Sequence, residues 1–333
     1  MDALIQYGIT FALWFQGLGG WLEFPMKGVT FLGSEEFFLL VLPIIYWCID
    51  ARIGLRMGVI LLLNGALNSI LKLAFFGPRP YWVNPQIKAL VSETSFGVPS
   101  GHAQVATGLW GMLAAQVRRP WVWGVAIFLI LMIGISRLYL GAHFLHDVLL
   151  GWLFGALVLW AVLRLWNSTA KWVQTKSTGQ QVGMAFLLSA FLLIGGAIAF
   201  GAARNTALPP DWTANALAAG AHETPDPVSL NSVITSSATL FGLLAGLAWI
   251  QPRGGFNAGG NIISRILRFI VGLAGVAILW YGLGAIFPRG EDIASYLLRY
   301  LRYALLGGWI SAGGPWAFIR LHLATSARSI IKK

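Results

Sequence analysis

Charged residues are scarce in this chain, and acidic residues are the scarcest. Only 11% of the 333 residues are charged, with 12 Asp and Glu against 23 Lys and Arg, whereas 57% are hydrophobic. Soluble domains carry about a quarter charged residues, so this composition excludes an ordinary soluble protein and predicts a chain that lies mostly in lipid. The single cysteine, Cys48, excludes an intrachain disulfide and is expected to be a buried thiol.

Long apolar runs recur along the whole sequence, and the polar breaks between them are too short to hold a soluble domain. A helix needs about 20 apolar residues to cross a bilayer. We therefore predict an all-α fold, a polytopic membrane helix bundle of about nine transmembrane helices. The predicted spans are residues 35–49, 53–74, 102–117, 120–136, 147–166, 182–203, 231–251, 264–287 and 295–322.

The N-terminal stretch is apolar but interrupted by glycine and proline, and it lacks a basic leading region. A signal peptide is therefore not expected. We predict that residues 1–34 form short helices lying in the membrane interface, and a tenth span is the competing interpretation. Residues 35–203 are predicted to form the core bundle, and residues 204–333 a C-terminal membrane extension of about three further helices.

The net charge of +11 would suit a nucleic-acid partner, but its distribution argues against one. Basic residues fall in alternate loops and in the tail, and acidic residues collect in the opposite loops. The positive-inside rule places the basic loops in the cytoplasm, so we predict a multi-pass protein of the cell (inner) membrane with its N-terminus outside. The basic positions are Arg52, Arg56, Arg118, Arg119, Arg164, Lys171, Lys176, Arg253, Arg265, Arg268, Arg320, Arg328, Lys332 and Lys333.

Several cations on the opposite, outer side break this charge rule. Lys72 lies near the outer end of the second span, and Arg79 follows it where Pro78 and Pro80 force the chain out of a helix. Ionisable groups at membrane depth are costly and usually functional. Snorkelling toward the headgroups accounts for either cation alone, but not for the whole set of outer cations.

A second polar segment, Pro99-Ser100-Gly101-His102, runs directly into an apolar span. Ser100 is predicted to be the N-cap of that helix, and the free N–H groups around Gly101 and His102 favour an anion site. By itself such a segment is an ordinary helix start. His102 adds a titratable group that can supply a proton beside the anion.

A third segment combines Ser136 and Arg137 with His143 and Asp147. A spacing of four places His143 and Asp147 on one helix face. The carboxylate can then hold one imidazole nitrogen and leave the other free to attack phosphorus. In isolation, a surface ion pair is the more common explanation of such a pair. His146 points about 60° away and is expected to lie beside the pair rather than to react.

Together these segments resemble the complete three-part signature of the type 2 phosphatidic acid phosphatase superfamily. The matching motifs are Lys72-x6-Arg79-Pro80, Pro99-Ser100-Gly101-His102 and Ser136-Arg137-x5-His143-x3-Asp147. The resemblance implies that His143 forms a phosphohistidine, that Asp147 orients it and that His102 protonates the leaving oxygen. It also implies, without any metal or cofactor, that the phosphoryl oxygens are bound by Lys72, Arg79, Ser100, Gly101 and Arg137.

The predicted function is that of a membrane phosphatase for a lipid phosphate or a prenyl diphosphate such as undecaprenyl diphosphate. A lipid substrate is favoured because the cations lie at headgroup depth on the outer, periplasm-like face. The sequence shows no dense cluster of Asp, Glu and His that would form a metal site. Two alternatives stay open: a lipid phosphotransferase with the same intermediate, and a transporter or receptor that only binds lipid phosphate.

Two features of the second half of the chain also allow alternative interpretations. The outer loop 203–230 holds no reactive arrangement, so a connecting role is preferred to that of a lid. Arg299 and Arg302 could attract an anionic headgroup, although interface anchoring is the simpler explanation.

Overall fold

The computed structural model of the protein describes residues 2–327, and every regular segment in that range is helical. The all-α prediction is therefore confirmed for these residues. Arg328, Lys332 and Lys333, which the charge pattern assigns to the inner side, lie outside them. The α-helices are α1 (Asp2–Gln16), α2 (Glu23–Phe31), α3 (Glu35–Ile44), α4 (Ala51–Phe75), α5 (Pro80–Val83), α6 (Gly101–Val117), α7 (Pro120–Tyr139), α8 (Leu145–Gln174), α9 (Thr178–Ala203), α10 (Asp211–Ala218), α11 (Asn231–Ile250), α12 (Ile262–Ala277), α13 (Leu283–Ile286), α14 (Ile293–Gly308) and α15 (Gly314–Arg320).

The predicted count of nine membrane spans is not confirmed. By length and composition, six helical segments among the described residues can cross a membrane, or seven if the bent pair Gly20–Phe31 and Glu35–Ile49 forms one span. The nine predicted ranges are helical to within two residues, but some are too short or too polar. Helix α6 has 17 residues, at the lower end of the length that a span requires, and is not among the six. Helix α14 has 16 residues and contains two arginines.

The N-terminal helices break where the sequence places glycine. Helix α1 ends at Gln16, and Gly19 adopts a positive φ of 114° before the 3₁₀ turn Gly20–Leu22 leads into α2. Helix α1 contacts α5 and α7, and α2 packs along α7. These contacts attach the N-terminal helices to the helices that carry the first and third motifs. Their location in the membrane interface stays a prediction.

The chain divides into two compact units that interleave along the sequence. The first unit comprises Met1–Phe38, Leu67–Ala161 and Gly195–Leu230, and the second comprises Leu39–Ala66, Val162–Ile194 and Asn231–Lys333. All three motifs lie in the first unit. The predicted division at residues 34 and 203 stays a prediction.

Within the second unit, α11 and α14 pack closely because glycines remove the side chains between them. A Cβ atom on Gly242 would lie 1.9 Å from the carbonyl oxygen of Ala304, and one on Gly246 would lie 2.2 Å from Ser311 Oγ. Small residues at membrane helix interfaces allow this close backbone approach. The Gly242-x3-Gly246 pair is therefore a helix-packing contact.

Candidate active site

Arg79 lies at the centre of the site because the chain leaves α4 in an extended conformation. It is the N-cap of α5, with φ of −91° and ψ of 156°, as the following Pro80 favours. The buried guanidinium donates from Nε to Ser95 O at 2.7 Å and from Nη1 to Ala142 O at 3.0 Å. Nη2 donates to Phe96 O at 3.2 Å. One side chain thus joins the first motif to the loops beside the second and third motifs.

Arg137 comes to the same place from the end of α7. It is 2% exposed, and its Nη1 donates to Thr30 Oγ1 on α2 at 3.1 Å. Its Nη2 forms a hydrogen-bonded ion pair with Glu93 Oε1. The other oxygen of Glu93 lies 3.6 Å from Arg79 Nη2, so this carboxylate bridges the two arginines.

The charge of Glu93 is maintained by the surrounding cations. Burial by itself raises the pKa of Glu93, but the positive charges of Arg79, Arg137 and Lys72 outweigh burial and hold the pKa well below its usual range. The carboxylate is therefore ionised at neutral pH. It partly neutralises three cations that would otherwise repel one another in a poorly hydrated site.

His143 and Asp147 lie at the start of α8 and face each other as their spacing predicts. His143 Nδ1 lies 3.3 Å from Asp147 Oδ2, and the same oxygen accepts the backbone N–H of Phe144 at 2.9 Å. His143 Nε2 lies 3.4 Å from Arg79 Nη1. Burial, and then the positive charges of Arg79 and Arg137, hold the pKa of His143 well below its usual range, so the imidazole is neutral at neutral pH.

His146 lies on the other side of the same carboxylate. Its Nε2 is 3.1 Å from Asp147 Oδ1, but that oxygen has no partner with hydrogen-bond geometry. The distance alone therefore does not make this contact a hydrogen bond. The His146 ring stacks on Phe144 with centroids 5.4 Å apart. Its place beside the pair agrees with the position expected from the sequence.

The second motif enters the site at the N-terminus of α6. Ser100 is the N-cap, with an extended backbone, but its hydroxyl makes no capping bond and is buried without a partner. A Cβ atom on Gly101 would lie 3.2 Å from Asn68 Oδ1, so a side chain here would require Asn68 to shift by a few tenths of an ångström. His102 is the second residue of α6 and lies within electrostatic reach of Arg137 and Glu93. The structure thus brings the second motif to the arginines of the first and third motifs.

Lys72 completes the set of cations from the last turn of α4. Its Nζ donates to Ser95 Oγ at 2.8 Å, and Arg79 Nη2 donates to the same hydroxyl at 3.1 Å. Ser95 thus connects two of the cations. With Arg137, the site holds three cations, a neutral imidazole and two unpartnered donors, Ser100 Oγ and Arg137 Nε.

This combination suits the transfer of a phosphoryl group. Negative charge spreads over three equatorial oxygens during transfer, and fixed cations and N–H groups can stabilise it. Among residues 2–327 no group of three or more His, Cys, Asp and Glu side chains could hold a metal ion. The N–H donors of Lys72, Arg79 and Arg137 are suited to bind the oxygens of an anion.

Three residues of the site were not identified from the sequence: Glu93, Ser95 and Thr30. Glu93 was counted only as an acid of the outer side, and the others carried no motif. Only Glu93 and Ser95 could have been suspected from the sequence, because they lie in the short polar segment between the first and second motifs. Their contacts depend on how that segment docks, which spacing does not reveal.

The loop 204–230, between α9 and α11, bonds to α5 and to the segment that carries Glu93 and Ser95. Asn215 Nδ2 of α10 donates to Trp82 O at 3.0 Å, and Ala89 N donates to Ala219 O at 2.9 Å. Farther along, Asp226 N donates to Thr94 O at 3.0 Å. The loop therefore supports the segment that carries Glu93 and Ser95.

Replacing Glu93 by glutamine is expected to weaken both the fold and the site. Loss of a buried ion-pair partner costs about 3–5 kcal/mol and loss of an exposed one less than about 1 kcal/mol; Glu93 is 27% exposed, so we expect about 2 kcal/mol. Thermal unfolding should shift down by roughly 5 °C. Phosphate release should fall by about tenfold because Arg137 loses its orienting partner.

The matched control for this change is Glu223→Gln, which removes an exposed carboxylate from the loop 204–230. It should leave both measurements unchanged. A Glu93→Gln protein that releases phosphate faster than the wild type would contradict the expectation, because the carboxylate would then compete with the phosphate for the cations.

Comparisons with known proteins match both halves of the chain. Residues 53–171, which include all three motifs, match the profile described as PAP2 superfamily, and residues 234–326 match PAP2 superfamily phosphatase, transmembrane extension.

Glucose-6-phosphatase 3 of Bos taurus is 27% identical over 95% of this chain and 95% of its own length. Phosphatidylglycerophosphatase B of Bacillus subtilis (strain 168) is 32% identical, over 43% of this chain and 74% of its own length. Among solved structures, the transmembrane PAP2 type phosphatidylglycerolphosphate phosphatase from Bacillus subtilis is 26% identical and covers 50% of this chain and 88% of its own, with a TM-score of 0.44.

Proposed function

Because this chain belongs to the PAP2 superfamily of membrane phosphatases, we propose that it hydrolyses a lipid phosphate through a phosphohistidine on His143. The observation that carries the proposal is the orientation of His143. Its Nδ1 faces Asp147, and its Nε2 faces the guanidinium of Arg79. A protein that only binds a phosphate needs the cations but no oriented neutral imidazole.

In the proposed first step, the lone pair of His143 Nε2 attacks phosphorus and the bond from phosphorus to the leaving oxygen breaks. Burial and the nearby cations lower the pKa of His102 to about 3, so His102 must take up a proton when the negatively charged phosphate binds and raises that pKa. His102 then donates this proton to the leaving oxygen, and Asp147 stabilises the positive charge that develops on His143. Lys72, Arg79, Arg137, Ser100 and the N–H groups at Gly101 hold the phosphoryl oxygens.

In the second step, His102 acts as a base instead of an acid. Water attacks the phosphohistidine, His102 accepts a proton from that water, and the phosphorus–nitrogen bond breaks to give inorganic phosphate. A hydroxyl in place of the water would make the same intermediate a phosphotransferase. The step requires no metal, because the cations supply the positive charge that magnesium supplies elsewhere.

A lipid phosphate or prenyl diphosphate is the preferred substrate because a membrane enzyme can accept such a substrate directly from the bilayer. A second candidate is a soluble sugar phosphate. It is favoured by one observation, the match to a glucose-6-phosphatase along 95% of both chains.

Phosphate release by the purified full-length protein tests the substrate class. The panel is phosphatidic acid, phosphatidylglycerophosphate, sphingosine phosphate, undecaprenyl diphosphate and glucose 6-phosphate, each in excess EDTA. We expect at least one lipid to exceed glucose 6-phosphate by about tenfold or more in kcat/KM, a difference of about 1.4 kcal/mol in transition-state binding. Vanadate should inhibit, because it adopts the geometry of the transferring group.

Two outcomes would contradict these expectations separately. A preference for glucose 6-phosphate would show that the substrate is a sugar phosphate rather than a lipid phosphate. Loss of all activity in EDTA, with recovery in magnesium, would overturn the metal-independent mechanism whatever the substrate.

We also propose that the site faces the outer side of the cell membrane. A cysteine at Gln86, in a background that lacks Cys48, should then react with an impermeant thiol reagent added to intact cells. A cysteine at Arg118 should not react, because short basic loops resist translocation. The reverse labelling pattern would place the site in the cytoplasm.

A further inference from the structure

Two arginines of α14 play no part in the proposed reaction, yet they lie together. Arg299 and Arg302 are three residues apart, and their guanidinium carbons lie 5.9 and 5.3 Å from the ring centroid of Tyr303. Arg299 Nη1 donates to Thr235 Oγ1 on α11 at 3.1 Å. Arg302 Nη2 donates to the backbone oxygen of Trp280 at 2.7 Å. The two charges are thus held beside one ring by neutral partners.

Neither arginine forms an ion pair with a carboxylate within residues 2–327. The acid at the start of the same helix, Asp292, instead caps α14 by accepting from the backbone N–H and the hydroxyl of Ser295. Two neighbouring cations repel each other, and a bound anion would relieve that repulsion.

The guanidinium of Arg302 is fixed in place and retains bonding capacity. It lies against Gly284 of α13, where a Cβ atom would come within 2.8 Å of Nη2. Its Nε is buried without a hydrogen-bond partner. An arginine offers five N–H donors in a planar fork that matches the oxygens of a phosphate. The two side chains together have several such donors to spare.

Apolar side chains on α14 are suited to contact the acyl chains of a phospholipid. The exposed apolar side chains of α14 include Ile293, Leu297 and Leu301, which share one helix face at a spacing of four.

We propose that Arg299 and Arg302 bind the phosphate group of an anionic membrane phospholipid, with its acyl chains along the exposed apolar side chains of α14. A snorkelling arginine would extend its guanidinium into the headgroup water. Here both guanidinium groups instead bond to groups of the neighbouring helices. The ligand chemistry is a phosphate, and its source is a lipid rather than free phosphate.

Thermal unfolding of the delipidated full-length protein tests this site. Phosphatidylglycerol should raise the Tm by roughly 5 °C over phosphatidylcholine at about 100 times its Kd. The double variant Arg299→Gln with Arg302→Gln should lose that shift. The control Arg204→Gln with Arg289→Gln removes the same charge from exposed positions and should keep it. Inorganic phosphate should produce no difference between the two double variants.

An undiminished phosphatidylglycerol shift in the Arg299→Gln, Arg302→Gln protein would overturn the proposal. The proposal would also be overturned if inorganic phosphate, but not the lipid, shifted the Tm of the two double variants differently. The ligand would then be free phosphate. If the double variant does not fold, Gly284→Ala decides the question, since the added Cβ displaces the Arg302 guanidinium. Loss of the shift in that variant supports the lipid site, and a full shift refutes it.

Discussion

Purified protein with His143→Ala is expected to release phosphate at least about 10⁴-fold more slowly than the wild type, because it lacks the group that attacks phosphorus. His146→Ala is the matched control. It removes an imidazole that contacts the same carboxylate without hydrogen-bond geometry, so its rate should change by less than about tenfold.

Trapping the phosphoenzyme separates this role from a structural one. Labelled substrate should transfer its phosphate to the wild type and to His146→Ala as an adduct that is labile in acid and stable in base. The His143→Ala protein should carry no label, although its unfolding temperature stays within a few degrees of the wild type. Wild-type phosphate release by His143→Ala would exclude the proposed mechanism.

Arg79→Lys is expected to lower kcat/KM by about 10²–10³-fold, as for the loss of one preorganised donor to the transition state. Lysine keeps the charge but cannot reproduce the planar fork. Arg79 donates to the backbone oxygens of Ser95, Ala142 and Phe96, so the loops that carry them should also loosen. Steady-state kinetics and thermal unfolding on the same preparations measure both effects.

The matched control is Arg164→Lys, the same exchange at an exposed position of α8. It should leave kcat, KM and Tm unchanged. If Arg79→Lys also kept the wild-type kcat/KM, a point charge would suffice at this position, and the bidentate role of the guanidinium would be wrong.

Helix positions and the local geometry of the motifs could be predicted because both depend on short-range rules. The predicted spans coincide with helices because the periodicity of apolar residues and the helix-breaking effect of glycine and proline both depend on residues close together in the sequence. His143 and Asp147 face each other because four residues make about one helical turn. The count of nine spans is not confirmed, because helices such as the 17-residue α6 are not among those that can cross a membrane by length and composition.

Contacts that depend on loop docking could not be predicted. Ser100 is the N-cap that the sequence indicates, but its hydroxyl stays free of the capping bond. Glu93 bridges Arg79 and Arg137, and its backbone N–H and C=O both bond to the Tyr81 hydroxyl. Its segment is also held by α1 and by the loop 204–230. The contacts with α1 and the loop join residues 70 or more positions apart, and no local pattern encodes them.

The sequence by itself determined that the chain is an all-α membrane protein, and its motifs predicted which side chains carry phosphate chemistry. Composition indicates that the chain lies in lipid, and motif spacing indicates which residues are neighbours along a helix. Neither inference requires coordinates. Only the tertiary structure decided which charges meet: Glu93 between two arginines, Ser95 between Lys72 and Arg79, and Arg299 with Arg302 beside one tyrosine. The physical reason is that electrostatic and hydrogen-bonding energies depend on distance in space, which packing sets and sequence separation does not.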